Sequence, residues 1–522
     1  MTPAPRTPDA VAPQAPAPDA PTDSWDVLVS TALVGTARRA VPDTPDLPAT
    51  SATEGAEALL DRAALATVRR TAGYTPGTAD PVTPDPGAEP PRIAGAAADR
   101  LALIVAQRSE VLAEWLDLVA ADGREVDRAN IPALLDHGVR DTRLRPAIAA
   151  AVGTRGRWLA GLNDRWAYVT AEPLPGDTFV EEDWADGTAS ERRRSLAALR
   201  ATDPDAARAL LEAEWSALGR SDLRRRLLDT FSTGPVPGDA AFLDAVLDDR
   251  GANVRGLALS LLTRLPDSAH ADRLRGYVRE HARLGDRGEL VVDDIAATRA
   301  DVLRDLALVA PESARSGDVF ERTWTLITHA PLDVWTDLFD ATPDEVFAAA
   351  DAARETRLRD AFANAVGLQR DRTWARAVLR FLGKGLVGQL HDTARGRESI
   401  HVEALLGVLP AEERCAVVLA AARDRNRVKT RDADLAHLAH AVGGAWDREL
   451  CELILDRVGG PSPKHGRTPS AYRSLCELAA EHLPPERLAD LPDEPPRGGS
   501  EADAFLRLRE TLRFRLDMHK EL

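Results

Sequence analysis

The stretch from Asp203 to Pro266, DPDAARALLEAEWSALGRSDLRRRLLDTFSTGPVPGDAAFLDAVLDDRGANVRGLALSLLTRLP, carries the clearest structural pattern in the chain. Apolar residues recur in it at helical spacing, and glycine or proline interrupts the pattern, which predicts a series of short amphipathic helices. The predicted helices are Asp205–Leu218, Asp222–Thr233, Asp239–Asp249 and Asn253–Leu265. Similar patterns continue toward the C-terminus, so the sequence indicates helix after short helix.

Two of these helices share a sequence pattern at a constant offset of 31 residues. Leu223, Arg224, Leu228, Phe231 and Pro235 align with Val254, Arg255, Leu259, Leu262 and Pro266. A start of Val or Leu followed by Arg, two apolar turns and a closing proline is typical of the second helix of a HEAT repeat, although the usual period is about 40–47 residues. One helix pair cannot bury its apolar stripe alone, whereas stacked pairs bury a continuous one. The pattern predicts an irregular HEAT-like α-solenoid of antiparallel helix pairs.

The composition predicts an all-α protein. The chain has 522 residues, of which 44% are hydrophobic and 29% charged, within the range of globular proteins. Aromatic residues make up only 5%, and the apolar residues are mostly Ala, Leu and Val. Ala and Leu favour helices, and stretches of β-branched and aromatic residues that would build a sheet are nearly absent.

The net charge and the cysteines limit the classes of partner and compartment. A formal charge of −17 argues against nucleic acid as the main partner, because a protein that neutralises many phosphates needs a positive surface. Three cysteines make a disulfide framework unexpected in so long a chain. The N-terminus does not read as a secretory signal, and no apolar stretch reaches the ~18 residues of a membrane span. We therefore expect a soluble cytoplasmic protein.

Proline-rich stretches divide the chain into predicted segments. Pro alternates with Ala, Thr and Asp at the N-terminus, in a stretch with too few apolar groups to offset the entropy of ordering. The predicted segments are a disordered tail over 1–22, a helical segment over 23–75, a linker over 76–92, a helical domain over 93–185, HEAT-like repeats over 186–483, and a Pro-rich break with a final helix over 484–522.

Several scattered stretches resemble a bacterial family of unknown function. They are WDVLVSTALVGTARR at Trp25–Arg39, LLDHGVRDTRLRPAIAAAVGTRGRWLAGLNDRW at Leu134–Trp166, and the tryptophan-marked helices around Trp335, Trp374 and Trp446. Members of that family look like gene-order neighbours of MoxR-type AAA+ ATPases, VWA-domain proteins and SWIM zinc-finger proteins. The resemblance implies an adaptor in such an ATPase system, and it brings no known active-site residues.

The segment around a predicted glycine-rich turn, Gly153 to Trp166, is the candidate interaction site. Arg and Trp are enriched where binding energy concentrates, and this short segment combines two of each. Two readings stay open: the side chains bind a carboxylate or an acidic loop of a partner, or the tryptophans pack the first helices together while the arginines face water. The candidate residues are Arg155, Arg157, Trp158, Asn163 and Trp166.

Two motifs that imitate cofactor or metal sites have simpler explanations. Gly383-Lys384-Gly385-Leu386-Val387-Gly388 satisfies G-x-G-x-x-G, but the residues before it read as a helix, whereas a dinucleotide site needs a strand there. We therefore predict a turn. His437 and His440 lie three residues apart, yet no second pair of ligands follows at a recognisable spacing. The sequence predicts no catalytic, cofactor-binding or metal-binding residues.

The function expected from these patterns is that of a non-enzymatic scaffold or adaptor that binds another protein. One alternative is an enzyme with a shallow site between helices that uses Arg155, Arg157 and scattered acids. Another is a helical-repeat protein that binds nucleic acid along the basic stretch Arg192–Arg226. A pull-down that recovers no protein partner would count against the scaffold. A deep pocket lined by converging His, Asp or Arg would favour the enzyme, and a continuous positive stripe would favour the nucleic-acid binder.

Overall fold

The computed structural model describes residues 24–45, 47–72, 91–174, 176–296, 298–309, 316–353, 357–394, 400–423, 431–461 and 468–522. The predicted tail over 1–22 and nearly all of the predicted linker over 76–92 lie outside these residues. The chain divides into two compact units, Met1–Pro84 and Asp85–Leu522. Among the described residues, no helix combines the length and apolar character that a membrane span requires.

The first unit contains a pair of helices in contact, α1 (Ser24–Val34) and α2 (Gly55–Ala72). Its small core is formed by Leu28 of α1, Leu59 and Ala66 of α2, and Leu47 of the connecting segment. Leu60 and Val68 on the other side of α2 are exposed.

The second unit is built from helices, which confirms the all-α prediction, with one two-stranded β-hairpin among the described residues. The helices of its first part are α3 (Ala96–Gln107), α4 (Leu112–Asp122), α5 (Ile131–Arg140), α6 (Arg145–Ala160), α7 (Tyr168–Ala171), α8 (Glu181–Ala185), α9 (Ala189–Thr202), α10 (Pro204–Glu214), α11 (Ser221–Leu228), α12 (Ala240–Val246), α13 (Ala252–Leu262), α14 (Ala269–His281) and α15 (Ala300–Asp305). The hairpin lies between α14 and α15 and pairs β1 (Ala282–Leu284) with β2 (Leu290–Val292) in antiparallel register.

Helices also form the rest of the second unit, and short 3₁₀ segments connect several of them. The helices are α16 (Ser316–His329), α17 (Asp333–Phe339), α18 (Pro343–Asp351), α19 (Arg357–Gln369), α20 (Arg372–Leu382), α21 (Leu386–Ala394), α22 (Val402–Val408), α23 (Ala411–Ala422), α24 (Asp432–Val442), α25 (Arg448–Gly459), α26 (Pro469–His482) and α27 (Ser500–Glu521). The 3₁₀ segments are Ser109–Val111, Thr142–Leu144, Asp164–Trp166, Asp229–Thr233, Pro237–Asp239, Gly383–Gly385 and Pro485–Asp490.

The four helices predicted between Asp203 and Pro266 are present as α10, α11, α12 and α13. The two that share the 31-residue pattern, α11 and α13, pack against each other. Their shared arginines both bond to Asp249: the Arg224 guanidinium forms a buried ion pair with its carboxylate at 2.7 Å, and Arg255 donates to its carbonyl at 2.8 Å. The Arg224 guanidinium also donates to the Leu218 carbonyl, so its buried charge is compensated within the chain.

Three of the tryptophans named in the resemblance, Trp335, Trp374 and Trp446, are core residues. Trp335 of α17 packs edge-on against Phe362 of α19 at 4.9 Å between ring centroids, and Phe362 stacks on Trp374 of α20 at 5.9 Å and 9°. Such pairs add about 0.5–1.5 kcal/mol each to the area they bury. Trp446 is also buried. These side chains hold consecutive helices together and are not available to a partner.

The last helix, α27, joins two hydrophobic cores of the second unit. Phe505, Leu508 and Leu512 belong to the large core that begins at Leu274, whereas Met518, two turns further along, is fully buried in the core of α3–α6. The C-terminal helix therefore contacts both the beginning and the end of this unit.

Candidate functional site

The predicted glycine-rich turn at Gly153 is instead a kink inside helix α6. Gly153 has φ 56° and ψ −152°, a backbone conformation that residues with a side chain rarely adopt. The Glu125 carboxylate also occupies the space beside it, with Oε1 1.7 Å from where a Cβ would lie. The turn prediction is therefore wrong: glycine permits a helix to bend around a carboxylate, and helical hydrogen bonding resumes after it.

Arg157 is held inside the chain. Its guanidinium forms a two-pronged ion pair with Asp177 at 3.0 and 2.7 Å and donates to the Glu172 carbonyl at 3.2 Å. Burial alone would raise the pKa of Asp177, but the hydrogen bonds and charge of Arg157 outweigh it and hold this pKa below its usual range. This arginine therefore anchors the segment after α7.

The other four candidate residues also make contacts within the chain. The Arg155 guanidinium lies 4.7 Å from the centroid of the Trp158 ring, and both side chains are partly exposed. Trp166 Nε1 donates to Asp136 at 3.0 Å, and the Asn163 side chain accepts from the Arg165 backbone N–H at 3.1 Å. The structure places all five in or just after α6, and each of them is partly exposed.

A larger candidate site is an open apolar groove in the second half of the chain, called the α20–α23 groove below. Its volume is about 530 Å³, and its walls come from α20 and α23. Leu379, Leu386, Val387 and Leu409 in its floor are buried, while Ala416 and Ala420 on α23 are exposed. The lining residues are Arg376, Leu379, Arg380, Gly383, Leu386, Val387, Leu409, Glu413, Ala416, Val417, Ala420 and Ala421.

The polar side chains of the groove lie at its rim. Arg376 on one wall bonds to Glu413 on the other through two contacts of 2.7 and 2.8 Å, and Arg380 pairs with Asp344 of α18 at 2.7 Å. The hydrogen bond from Arg376 lowers the pKa of Glu413. Both ion pairs are substantially exposed, and exposed pairs contribute about 0–1 kcal/mol, so their partners exchange readily.

A model for a family of unknown function, DUF5691, matches residues 27–522. The chain belongs to the DUF5691 family. No match was found among curated proteins or among solved structures.

In this DUF5691 protein the glycine motif forms the predicted turn. Helix α20 ends at Leu382, Gly383 has φ +30°, and a 3₁₀ turn leads directly into α21. The predicted turn is therefore confirmed, and Gly383 contributes its backbone to the α20–α23 groove.

The candidate histidine His437 and the cysteines Cys451 and Cys476 lie in ordinary helical surroundings. His437 Nδ1 contacts the carbonyl of Ala433 one turn earlier at 2.7 Å. Burial raises the pKa of Cys451 to about 11 and that of Cys476 to about 12, so both thiols stay protonated at neutral pH. Within the part of the chain that the structure describes, no three His, Cys, Asp or Glu side chains are grouped so that they could hold a metal ion.

The basic stretch Arg192–Arg226 is interleaved with acids. Arg194 pairs with Asp183, and Arg192 and Arg193 approach Glu214 and Asp229 at 3.5 and 3.6 Å. Arg224 forms the buried pair with Asp249 described above. These contacts break up the positive stripe that nucleic-acid binding needs.

A second cleft of about 400 Å³ lies where α27 meets α26 and the junction of α3 and α4. Both signs of charge line it, so it offers no uniform field to an ionic ligand. Its charged residues are Arg108, Arg473, Arg507, Glu110, Glu477, Glu481 and Glu510.

Sequence reasoning missed the α20–α23 groove although two signals for it were present. Arg372, Arg376 and Arg380 recur every four residues and so lie along one face of α20, in a helix without a carboxylate. The apolar run from Ala416 to Ala422 covers more than one face of α23, so part of it stays outside the core. Neither signal indicates that the two surfaces face each other.

A half-buried histidine predicts loss of stability in acid. His329 at the end of α16 shares a 2.6 Å hydrogen bond with Thr263, and burial, with the nearby His270, lowers its pKa to about 4. The unfolded chain binds this proton near pH 6.5, so stability falls as the pH drops from 6.5 to 4. Because the ring keeps some solvent contact, we expect about 2 kcal/mol from this residue.

Urea unfolding followed by circular dichroism at pH 7.5 and pH 4.5 measures this loss. His329→Asn should reduce the difference between the two pH values, whereas the same change at the exposed His401 should leave it unaltered. An equal difference in wild type and His329→Asn would contradict the assignment.

Proposed function

We propose that this DUF5691 protein is a non-enzymatic cytoplasmic adaptor that holds another protein. In this proposal its helix pairs form an irregular HEAT-like scaffold. The observation that carries the proposal is the α20–α23 groove: an open apolar surface of about 530 Å³ with charged side chains only at its rim. Exposed apolar surface framed by polar residues is characteristic of protein-binding sites.

The chemistry of the groove supports binding over catalysis. A catalytic cleft needs a nucleophile, an acid or a base held close to the reacting atoms. The floor of the groove consists of Leu and Val side chains, and Glu413 at its rim is already hydrogen-bonded to Arg376. The protonated buried thiols of Cys451 and Cys476 are poor nucleophiles.

The proposed partner is a component of a bacterial MoxR-type AAA+ ATPase system, either the ATPase or its VWA-domain protein. The support for this step is the resemblance noted in the sequence, carried by stretches such as Trp25–Arg39 and Leu134–Trp166. The apolar α20–α23 groove supports the proposal that such a partner is held by this chain.

A pull-down with the full-length tagged chain from its native cells tests the proposal. We expect an ATPase or VWA-domain protein to be enriched, and we expect Ala420→Trp to abolish the enrichment because the indole fills the groove. The matched control is Ala213→Trp, since Ala213 is also exposed, on α10, outside the groove. Recovery of no protein, or equal recovery with wild type and Ala420→Trp, would count against an adaptor that uses this groove.

A further inference from the structure

We infer that the α20–α23 groove accepts a single amphipathic α-helix of the partner protein, with its apolar stripe on the groove floor and a row of carboxylates facing α20. This inference rests on the proposed function and names the chemistry of the segment that is recognised. Helix-in-groove recognition uses apolar anchors at positions i, i+3, i+4 and i+7.

The two walls of the groove suit a helix. The spacing of packed helices, about 8–10 Å between axes, depends on the side chains at the contact, and small side chains allow the closer approach. Ala416, Ala420 and Ala421 give the α23 wall such a surface, and the buried Leu379 and Leu386 provide an apolar floor. A helix lying there would be covered on two sides by apolar groups.

The positive charges of the α20 wall favour negative charge on the side of the bound helix that faces this wall. Arg372, Arg376 and Arg380 are exposed and lie one helical turn apart, in a helix that carries no acidic residue. Four residues of helix span about 6 Å, so carboxylates at the same spacing on an adjacent helix would align with them. The opposite wall contributes a single acid, Glu413.

The ion pairs that Arg376 and Arg380 form within the chain do not prevent carboxylates of a bound helix from replacing Glu413 and Asp344. Arg376 is 43% and Glu413 37% exposed, and Arg380 is 65% and Asp344 42% exposed. Replacing these partners with a second set of carboxylates costs little, because water already surrounds the pairs. Binding that also excludes water from one side would strengthen the new ion pairs.

Other occupants fit less well. A small apolar molecule is normally oriented by polar groups deep in its pocket, whereas here the floor is aliphatic and the polar groups stand at the rim. A basic helix would place like charges against the arginine row. Preference for a basic helix is therefore the alternative outcome of the test.

Two synthetic 18-residue helical peptides test the inference with the full-length chain. Both carry the same leucine stripe, and one has glutamates and the other lysines along the flank. In fluorescence anisotropy we expect the glutamate peptide to bind at least about tenfold more tightly. Arg376→Glu with Arg380→Glu should reverse this preference, and Ala420→Trp should abolish binding of the glutamate peptide.

The control carries Arg220→Glu and Arg225→Glu, two exposed arginines at α11, and should retain the preference of the wild type. Equal affinity for both peptides, no binding of the glutamate peptide, or a preference for the lysine peptide would overturn the inference. The pull-down separates the two proposals. If the partner is lost with Ala420→Trp but retained with the double arginine reversal, the adaptor function stands and the acidic helix is wrong.

Discussion

Replacing Arg515 with alanine is expected to lower the free energy of unfolding by about 3–5 kcal/mol, the cost of breaking a buried ion pair on one side. Arg515 of α27 binds both oxygens of Glu114 on α4, at 2.5 and 2.9 Å, and donates to the carbonyls of Ala480 and Leu483 at 2.7 Å. After the substitution, the partly buried Glu114 loses its ion pair with Arg515 and keeps its hydrogen bond with His519. One side chain here ties α27 to the first helices and to the end of α26.

The pKa of Glu114 reflects the same contacts with Arg515 and His519. Burial alone would raise it, but the hydrogen bonds and charges of Arg515 and His519 hold it below its usual range. The carboxylate therefore stabilises the fold above the unfolded pKa, and this stability is lost as the pH falls through the lower folded pKa.

Equilibrium urea unfolding measures the effect of Arg515→Ala. The matched control is Arg513→Ala, because Arg513 lies on the same helix and faces solvent, so the change should stay within about 0.5 kcal/mol. Hydrogen exchange should show faster opening of α4 in Arg515→Ala alone. Equal stability of the two variants would mean that α27 is held by apolar packing and not by this ion pair.

Arg497→Ala is expected to have a comparable effect, again about 3–5 kcal/mol. The Arg497 side chain is 1% exposed, binds Asp432 at 2.9 Å, and donates to the carbonyls of Gly460 and Arg457 at 3.3 and 3.0 Å. Its guanidinium also lies 3.8 Å from the centroid of the Tyr472 ring. Asp432 accepts a second arginine, Arg457, at 2.9 Å on its other oxygen, so after the substitution one of its two oxygens loses its guanidinium partner.

Arg497→Lys separates charge from geometry at this position. A lysine keeps the positive charge but cannot reach the carboxylate and two carbonyls together. We therefore expect its free energy of unfolding to lie between those of wild type and Arg497→Ala. Arg448→Ala, which removes an 86% exposed arginine with an i,i+4 partner, is the surface control and should cost less than about 0.5 kcal/mol. Thermal unfolding that ranks Arg497→Lys with wild type would show that the charge alone suffices.

The helices were predictable because their pattern is local. The predicted helix Asp222–Thr233 corresponds to α11 (Ser221–Leu228) and the 3₁₀ segment Asp229–Thr233 that follows it, and the predicted helix Asp239–Asp249 contains α12 (Ala240–Val246). Apolar spacing and punctuating glycines or prolines lie within a few residues of each other, so no distant contact is needed to read them. The prediction was wrong at Gly153, since the Glu125 carboxylate that explains the glycine comes from another part of the chain.

The candidate site was less predictable. The choice of Arg157 as a recognition residue could not anticipate Asp177, twenty residues away, which engages its guanidinium. The sequence predicts only a Pro-rich interruption between helices over Pro484–Gly499. This segment nevertheless contains Arg497, one of the most buried arginines of the described residues. An arginine that faces water and one that anchors a core look alike in sequence, because burial depends on what packs against the side chain.

The sequence by itself determined the all-α class, the position of most helices and the DUF5691 family, because apolar periodicity and family patterns are properties of the order of residues. Only the tertiary structure decided that α27 pairs with α4, which lies about 400 residues earlier in the sequence. It also decided that α20 and α23 face each other with an apolar groove between them. Contacts between residues so far apart arise from the packing of whole helices, and no local pattern of side chains encodes which helices become neighbours.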